Sequence, residues 1–390
     1  MIELAVVGGG PAGLAAAIHA ARSGVEATVF EEHPQIGIPP HCAGIVSKDD
    51  LEKTGFYPPT SVVQAMVEHV TAVYEEHIFE LPLKRKFLVL DRPLFDQHLS
   101  KMAEKEGCTI ELASKVVGVH RDGSYLSLKV QRGSCIEEVR CKLAVAADGT
   151  ASRIAYMLGL DIRREFAACI QYEVTPNPFE KNNIIEIYLG SLHAPGGYAW
   201  IVPAGDKAKI GLGVRNSPKP AKYFLDKLVK HRIPQASILK VMVHPVPVSG
   251  PIPKTYTSNL LVVGDAAGHV VPSSGAGIVP ALICGRIAGE VAAKAVLGNA
   301  YHSEEFLAQY EMLWRKAIGR KFETAMALRR LAEEMPKEDR ELVAKLLKGK
   351  LGHYIKTGQK VKALLYILFK HPHLLKYAKA TIEASRYGLF

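Results

Sequence analysis

The stretch Glu3-Leu-Ala-Val-Val7-Gly8-Gly9-Gly10-Pro11-Ala12-Gly13-Leu14 decides the fold. Glu3 to Val7 is a short apolar run of strand length. Pro11 to Ser23 has helical patterning, a proline at the helix start and enough alanine for close packing on a sheet. Gly24 ends that helix, and Glu26 to Phe30 reads as a second strand, so the chain opens strand, glycine turn, helix, strand. Gly8, Gly10 and Gly13 fall in the spacing G-x-G-x-x-G. The first permits the tight turn, the second lets backbone approach a pyrophosphate, and the third lets the helix lie close to the strand. Ala12 sits in the same turn, where helix amides and the helix dipole hold phosphate. An acidic residue at the end of the second strand takes the ribose hydroxyls; Glu31 has that position, and Glu32 adjoins it. The opening therefore predicts a dinucleotide site.

The rest of the composition is compatible with that start. The chain has 390 residues, 48% hydrophobic and 23% charged, which is ordinary for a globular protein with room for two or three domains. Disorder, collagen-like repeats and a coiled coil are excluded as the main architecture. Six cysteines without a C-x-x-C pair argue against a disulfide scaffold and predict no zinc or iron–sulfur site. Thiols this sparse fit a reducing, cytoplasmic compartment. No stretch reaches the roughly 18–20 apolar residues of a membrane-spanning helix. The glycine turn and Glu3 distinguish the N-terminus from a signal peptide, so the expectation is a chain that starts at its mature end. The net charge of +10 is unevenly placed: Arg315 to Phe390 holds 18 Lys and Arg against 7 Asp and Glu, and the remainder is near neutral. Such a patch fits nucleic acid, an anionic membrane, a phosphorylated substrate or plain solvated helix faces.

Beyond the opening, Val62 to Leu90 alternates and reads as strands, Arg92 to Gly107 as a helix, and Cys108 to Glu138 as strands with a turn at Asp122-Gly123. Leu143 to Ala147 is a buried strand ending in Asp148-Gly149. Ala167 to Val214 is strand-rich. Leu260 to Val263 runs into Gly264-Asp265, a helix follows from about Gly277 to Leu297, and from Glu304 the text is helical, with breaks near Pro336, Gly349 and Pro372. The expected fold class is α/β: a Rossmann-like dinucleotide-binding domain from residues 1–60, 91–165 and 250–300, an inserted β-sheet substrate domain from 61–90 and 166–249, and a helical C-terminal region over 301–390.

Two later segments narrow the nucleotide. Leu143-Ala-Val-Ala-Ala-Asp148-Gly149-Thr-Ala-Ser152-Arg153 and Leu260-Leu-Val-Val-Gly264-Asp265-Ala266-Ala267-Gly268-His269 resemble the second and third FAD-contacting motifs of the para-hydroxybenzoate hydroxylase superfamily. A carboxylate at a strand end accepts hydrogen bonds from sugar hydroxyls, and the resemblance assigns the second Asp to the ribityl chain. Ser274-Gly275-Ala276-Gly277-Ile278 then starts a helix whose amides stabilise negative charge, which at a flavin edge favours an anionic reduced form.

Further segments resemble the geranylgeranyl reductase family: Gly37-Ile-Pro39-Pro40-His41-Cys42-Ala43-Gly44, Leu90-Asp91-Arg92-x-x-Phe95-Asp96, and Ile187-Tyr188-Leu189 continuing to Tyr198-Ala-Trp200-Ile-Val-Pro203 with Gly211 and Gly213. The likeness runs from residue 1 to about 330. Val202 stands where the family often has Phe, His41 where Arg is common, and Ala276 interrupts a glycine run. The resemblance implies FAD as cofactor, bound by Gly8, Gly10, Ala12, Gly13, Glu31, Glu32, Cys42, Ala43, Arg92, Val117, Asp148, Gly149, Asp265, Gly275, Gly277 and Ile278. It implies hydride transfer from reduced flavin to the C=C bonds of geranylgeranyl chains in isoprenoid, archaeal-type ether lipids. Cys42, His41 and Tyr198 are the catalytic candidates, and Tyr188, Tyr198, Trp200 and Pro203 the substrate-binding ones, with Tyr172 a further candidate for the wall. For Cys42 the residue alone is equally a small buried thiol, and the resemblance favours function.

No second glycine-rich nucleotide motif is present, so no NAD(P)H site is placed in the sequence; the expected reductant is NAD(P)H binding transiently or a ferredoxin-like protein. The partners expected are an isoprenoid lipid and an anionic membrane surface met by the basic C-terminal helices, including Ala363 to Phe369; nucleic acid is not among them. Two alternatives share the motifs: an FAD-dependent monooxygenase of the same superfamily, against which the Cys42 loop and the Tyr198–Pro203 segment argue, and a non-catalytic isoprenoid carrier.

Overall fold

The computed structural model describes residues 1–356, 359–375 and 377. The opening forms as its pattern predicts: β1 (Ile2–Val7), α1 (Pro11–Arg22) and β2 (Ala27–Phe30). After them come β3 (Ile45–Ser47), α2 (Lys48–Glu52), β4 (Val63–Tyr74), β5 (His77–Leu90), α3 (Arg92–Lys105), β6 (Thr109–Glu111), β7 (Lys115–Asp122), β8 (Tyr125–Arg132), β9 (Cys135–Ala146) and α4 (Arg153–Met157). The middle of the chain supplies β10 (Phe166–Thr175), β11 (Ile184–Leu189), β12 (Tyr198–Ala204), β13 (Lys207–Val214), α5 (Ala221–Arg232) and β14 (Ser237–Pro247). Then follow β15 (Tyr256–Thr257), β16 (Leu260–Val262), α6 (Ile278–Leu297), α7 (Glu304–Trp314), α8 (Arg320–Glu334), α9 (Lys337–Lys348), α10 (Lys350–Lys356) and α11 (Lys360–Lys370).

The first sheet has the order β15-β16-β9-β1-β2-β6, with β8 on β9 and β7 on β8. Strands β16, β9, β1, β2 and β6 run parallel and both faces are covered. Leu4 and Val6 face α1, α3 and α6, while Ala5 and Val7 face β7, β8 and α4. Helices α1 and α6 approach closely because α6 carries small residues at the crossing: a Cβ on Gly285 would lie 2.3 Å from the Ala12 carbonyl oxygen, and one on Gly289 2.2 Å from that of Ala16.

The second sheet has the order β14-β10-β13-β12-β11-β4-β5-β3 and is antiparallel except for β4 beside β11. Strand β3 lies in the part of the chain expected in the first domain, yet it pairs with β5. Helix α5 covers one face at β10 and β13 through Phe224, Leu225 and Leu228. The other face turns toward the first sheet.

Two further features depart from the sequence reading. The strands expected before Glu138 and after Leu143 are one strand, β9. Its first half is an exposed hairpin arm on β8 and its second half is buried beside β1, so hydropathy changes along an unbroken strand. Helix α5 was not anticipated; its stripe of Phe224, Leu225 and Leu228 is short and lies among lysines. The C-terminal helices break where Pro336, Gly349 and Pro372 predict, and α7 runs into α8 through a π turn, Arg315–Gly319. No helix among the described residues is long and apolar enough to cross a membrane, and no cluster of His, Cys, Asp and Glu among them has metal-binding arrangement.

Candidate active site at the junction of the two sheets

The glycine turn follows β1. Gly8 has φ +108°, and a Cβ there would meet the Ala147 carbonyl oxygen at 2.2 Å. A Cβ on Gly13 would lie 2.1 Å from the Gly8 oxygen, so α1 rests directly on the turn. Gly10 differs: a Cβ there would meet nothing within 4 Å, which leaves its backbone facing open space at the N-terminus of α1. Ala12 is buried, and its methyl is where a Cβ on Gly264 would collide at 2.7 Å. Glu31 ends β2 as predicted. Its Oε2 accepts from the Gly9 amide at 2.8 Å, and its Oε1 from the His33 amide at 3.0 Å. Glu32 turns outward, exposed and paired with Lys115 Nζ at 2.5 Å, so it stands apart from the turn. The alternation of β2 carries past its end and sends neighbouring side chains to opposite sides. Val117 lies at an irregularity of β7, where the register on β8 shifts.

Asp148 and Asp265 stand at the ends of adjacent parallel strands. Asp148 Oδ2 accepts from the Ile154 amide at 3.1 Å; its buried Oδ1 has no partner among the described residues. Burial pushes both carboxyls upward, opposed at Asp265 by Arg92 and Arg164. Gly149, with φ +68°, begins a 3-10 turn with open space at its Cβ position. A Cβ on Gly277 would lie 3.4 Å from Asp265 Oδ1, which places Gly277, just before the first residue of α6, Ile278, beside that carboxylate; Gly275 instead faces Val246 of β14 and donates its amide to the Val271 carbonyl at 2.8 Å. Two residues clamp these loops. Ser152 Oγ donates to the Ala266 oxygen at 2.8 Å, and Arg164 donates to the carbonyls of Asp265, Ala266 and Thr150. Arg164 carries no sequence signal, since its partners are backbone oxygens more than ten residues away. His269, in the same motif, is fully buried against Trp314; burial lowers its pKa to about 3, so it is neutral packing.

The second sheet contributes its uncovered face. On β12 the side chains of Tyr198, Trp200 and Val202 share this face with Cys169 and Gln171 of β10 and Lys209 of β13, as the register dictates. A Cβ on Gly211 would sit 2.6 Å from the Trp200 ring, and one on Gly213 2.9 Å from Cys169 Sγ. The glycine pair therefore makes room for the indole and the thiol. Tyr198 Oη donates to the Ser274 carbonyl at 2.5 Å, and Trp200 Nε1 to Gln171 Oε1 at 3.0 Å. The buried Lys209 ammonium donates to the carbonyls of Ala43, at 3.0 Å, and Leu90, at 3.2 Å. These bonds bring the sheet against both the Cys42 loop and the segment before α6.

Cys42 is half-buried, and its Sγ accepts from the Gly44 amide at 3.3 Å. Arg92, the first residue of α3, forms a two-pronged pair with Asp96, 3.1 Å from Nε and 2.9 Å from Nη2. Burial opposes the Arg92 charge, but Asp96 and the Cys42 side chain outweigh it and hold the guanidinium protonated. Burial brings Lys209 down to about 8 against the pull of Cys42. His41 stacks on His244 of β14 at 4.6 Å, and burial lowers both. Neither Lys209 nor His244 was anticipated; only their register across the sheet brings them to this loop.

Tyr188 and Pro203 are not part of this face. Tyr188 pairs with Ala199 and Pro203 with Ala208, which directs both toward the α5 side. Tyr188 is buried there with its hydroxyl on Glu186 at 2.6 Å, and Tyr172 packs in the same core. Their expected place in a substrate wall is corrected by the period of two along a strand.

The open space at Gly10, the unpartnered Asp148 oxygen and Glu31 at its strand end fit a dinucleotide lying along the first sheet. The sequence profile of FAD-dependent oxidoreductases matches residues 3–167, and that of the geranylgeranyl reductase catalytic domain matches residues 165–246. Digeranylgeranylglycerophospholipid reductase of Methanocaldococcus jannaschii is 34% identical over 387 residues, covering 97% of each chain. The chain belongs to the digeranylgeranylglycerophospholipid reductase family. This reductase is an FAD-dependent oxidoreductase. A second relative, digeranylgeranylglycerophospholipid reductase 2 of Methanothermobacter thermautotrophicus, is 34% identical over 96% of this chain and 98% of its own. The crystal structure of a geranylgeranyl bacteriochlorophyll reductase-like protein from Thermoplasma acidophilum superposes with a TM-score of 0.85 at 26% identity, covering 97% of the reductase and 98% of that chain. The p-nitrophenol 4-monooxygenase of Pseudomonas putida shares the fold alone, with a TM-score of 0.72 at 16% identity over 96% of the reductase and 98% of its own chain.

Proposed function

We propose that this reductase saturates the C=C bonds of geranylgeranyl chains in isoprenoid, archaeal-type ether glycerophospholipids. The observation that carries the reading is the face of β12 and β13 drawn against the Cys42 loop. Tyr198 and Trp200 stand on it, and Gly211 and Gly213 clear space for the Trp200 ring and the Cys169 thiol. When bound, FAD in its reduced form supplies the hydride that goes to one alkene carbon; a proton must reach the other.

The residues divide the remaining work. Gly10 and the α1 amides receive the pyrophosphate, Glu31 the adenosine ribose, and Asp265 the ribityl chain. Gly277 and the first amides of α6 would face the flavin edge, while the Gly275 amide is held by the Val271 carbonyl. Trp200 and its neighbours hold an apolar chain, since an isolated alkene offers little to hydrogen-bond and affinity comes from burial at about 0.8 kcal/mol per CH₂. Cys42, placed beside Arg92 and Lys209, is the candidate to deliver the proton or to position the alkene; His41 and Tyr198 are the further acid–base candidates. The electrons come from NAD(P)H or a ferredoxin-like protein, and the enzyme works in the cytoplasm in peripheral contact with an anionic membrane surface.

The test is anaerobic. Enzyme whose flavin has been reduced chemically is mixed with detergent-dispersed unsaturated ether lipid. The expected outcome is return of the oxidised flavin spectrum together with a mass gain of two hydrogens per double bond. Flavin that stays bleached, with lipid mass unchanged, would refute the assignment.

A further inference from the structure

Among the described residues β14 pairs on one side only, with β10, so its outer edge is open. Native edge strands are commonly blunted by charge or covered, because a flat apolar edge invites association. The registers Val241 to Tyr172 and Val243 to Ile170 put both valines on the α5 face of the sheet. They are 59% and 66% exposed, Ile238 and Leu239 on the same strand are 48% and 46% exposed, and Tyr223 on α5 is 46% exposed. A contiguous row of this kind marks a contact surface, where single exposed apolar residues would not.

The flank of that row is basic. Lys219, Lys222, Lys227, Lys230 and His231 are exposed along α5 and its approach. Of the six Lys and Arg in residues 217–247, Arg232 is held by Glu186 and Lys240 faces the other side of the sheet, which leaves Lys219, Lys222, Lys227 and Lys230 on this flank against one acid, Asp226. That acid is already engaged, accepting from Lys222 Nζ at 2.6 Å and Tyr172 Oη at 2.7 Å. On its opposite face the same strand carries Lys240, Met242 and His244, and His244 stacks on His41 next to Cys42. A cleft of about 330 Å³ lies there between Pro39-Pro40-His41 and residues 240–243. One strand thus separates an apolar, basic outer surface from the approach to the site.

We propose that the β14 edge and the basic flank of α5 form the surface on which the reductase sits on an anionic lipid bilayer, so that chains reach the Cys42 loop over β14. The inference deepens the lipid-reductase reading and rests on it. A second copy of the chain paired along β14 would set two like-charged segments against each other, whereas an anionic lipid surface accepts both the apolar row and the lysines.

The experiment is co-sedimentation of the full-length, flavin-loaded protein with vesicles of phosphatidylcholine alone or mixed with phosphatidylglycerol, at low and high salt. The parent is expected to bind the anionic vesicles at low salt and to leave them at high salt. V241D/V243D and K227E/K230E are each expected to lower that partition about twentyfold or more, with flavin content unchanged. The proposal is overturned if the parent does not bind, if either pair binds like the parent, or if only a C-terminal change, L365D/F369D, releases it. It is also overturned if the parent elutes as a dimer that V241D/V243D converts to monomer. Failure of the lipid reading is seen separately, in reoxidation of reduced flavin by detergent-dispersed lipid, which needs no bilayer.

Discussion

Cys42, the proposed proton donor or alkene-positioning group, is a half-buried thiol beside Arg92 and Lys209, on a turn tied to the second sheet through the Ala43 carbonyl. Cys42→Ala is expected to lower alkene reduction while leaving FAD content near normal; equal turnover by single-turnover spectroscopy would return the thiol to packing. Lys209 gives a pH signature. Its folded pKa, about 8, lies below the unfolded value near 10.5. Between the two, the unfolded chain keeps a proton that the folded chain has released, so this group makes stability rise with pH across that window. Below about 8 both states are protonated and the full penalty, at most about 3 kcal/mol, is constant. The parent-minus-Lys209→Met difference in denaturation free energy should therefore climb from pH 8 to 10, and a flat difference would contradict the buried-ammonium account. The glycine turn makes a third test. Gly13→Ala drives a methyl into the Gly8 carbonyl and is expected to lower both thermal stability and flavin content, whereas Gly10→Ala fills open space and should lower flavin retention with little change in Tm.

Element geometry separates residues that composition groups together. On β11 and β12, Tyr188 and Tyr198 both look like wall aromatics, but strand alternation sends them to opposite faces. Tyr188→Phe removes a buried hydroxyl from Glu186, which keeps its Arg232 partner, and is expected to cost about 1–3 kcal/mol in stability without changing turnover. Tyr198→Phe releases the Ser274 carbonyl beside the flavin-edge segment and is expected to lower turnover with a smaller stability loss. Parallel urea melts and reoxidation rates decide it; a turnover defect in Tyr188→Phe alone would reverse the assignment of faces. The same alternation explains Gly211 and Gly213, which leave space for the Trp200 ring and the Cys169 thiol.

For the whole molecule, the site exists because two sheets meet. The first carries Gly10, Glu31, Asp148 and Asp265 at the ends of parallel strands, and the second offers Tyr198, Trp200 and Lys209. The role proposed for Glu31 predicts that the purified protein is yellow and that heat-released cofactor chromatographs as FAD; FMN would remove the basis for that role. The +11 excess from Arg315 onward is partly invested in internal bonds: Arg315 holds Glu311, Arg329 holds Glu165 and Glu333, and Lys321 holds Asp50. Leu365, Leu368 and Phe369 on α11 remain exposed, so the C-terminal helices are a competing lipid contact that the vesicle experiment distinguishes from β14.

What the sequence determined by itself was local. The strand–turn–helix opening, the strand-end carboxylates and the helix breaks at Pro336, Gly349 and Pro372 follow from glycine and proline stereochemistry and from hydrophobic period, which act within a few residues. The Cys42 loop and the Tyr198–Gly213 segment were legible only through their resemblance to the geranylgeranyl reductase family's motifs. Only the tertiary structure decided which side chains of those motifs face one another. Lys209, His244 and Arg164 have no signature because their partners are backbone oxygens or a ring contributed by segments distant in sequence. Tyr188 and Pro203 left the site because strand register, set by long-range pairing, chose their face. A sequence records which residues can turn, cap or pack; the long-range pairing of two sheets fixes which of them meet.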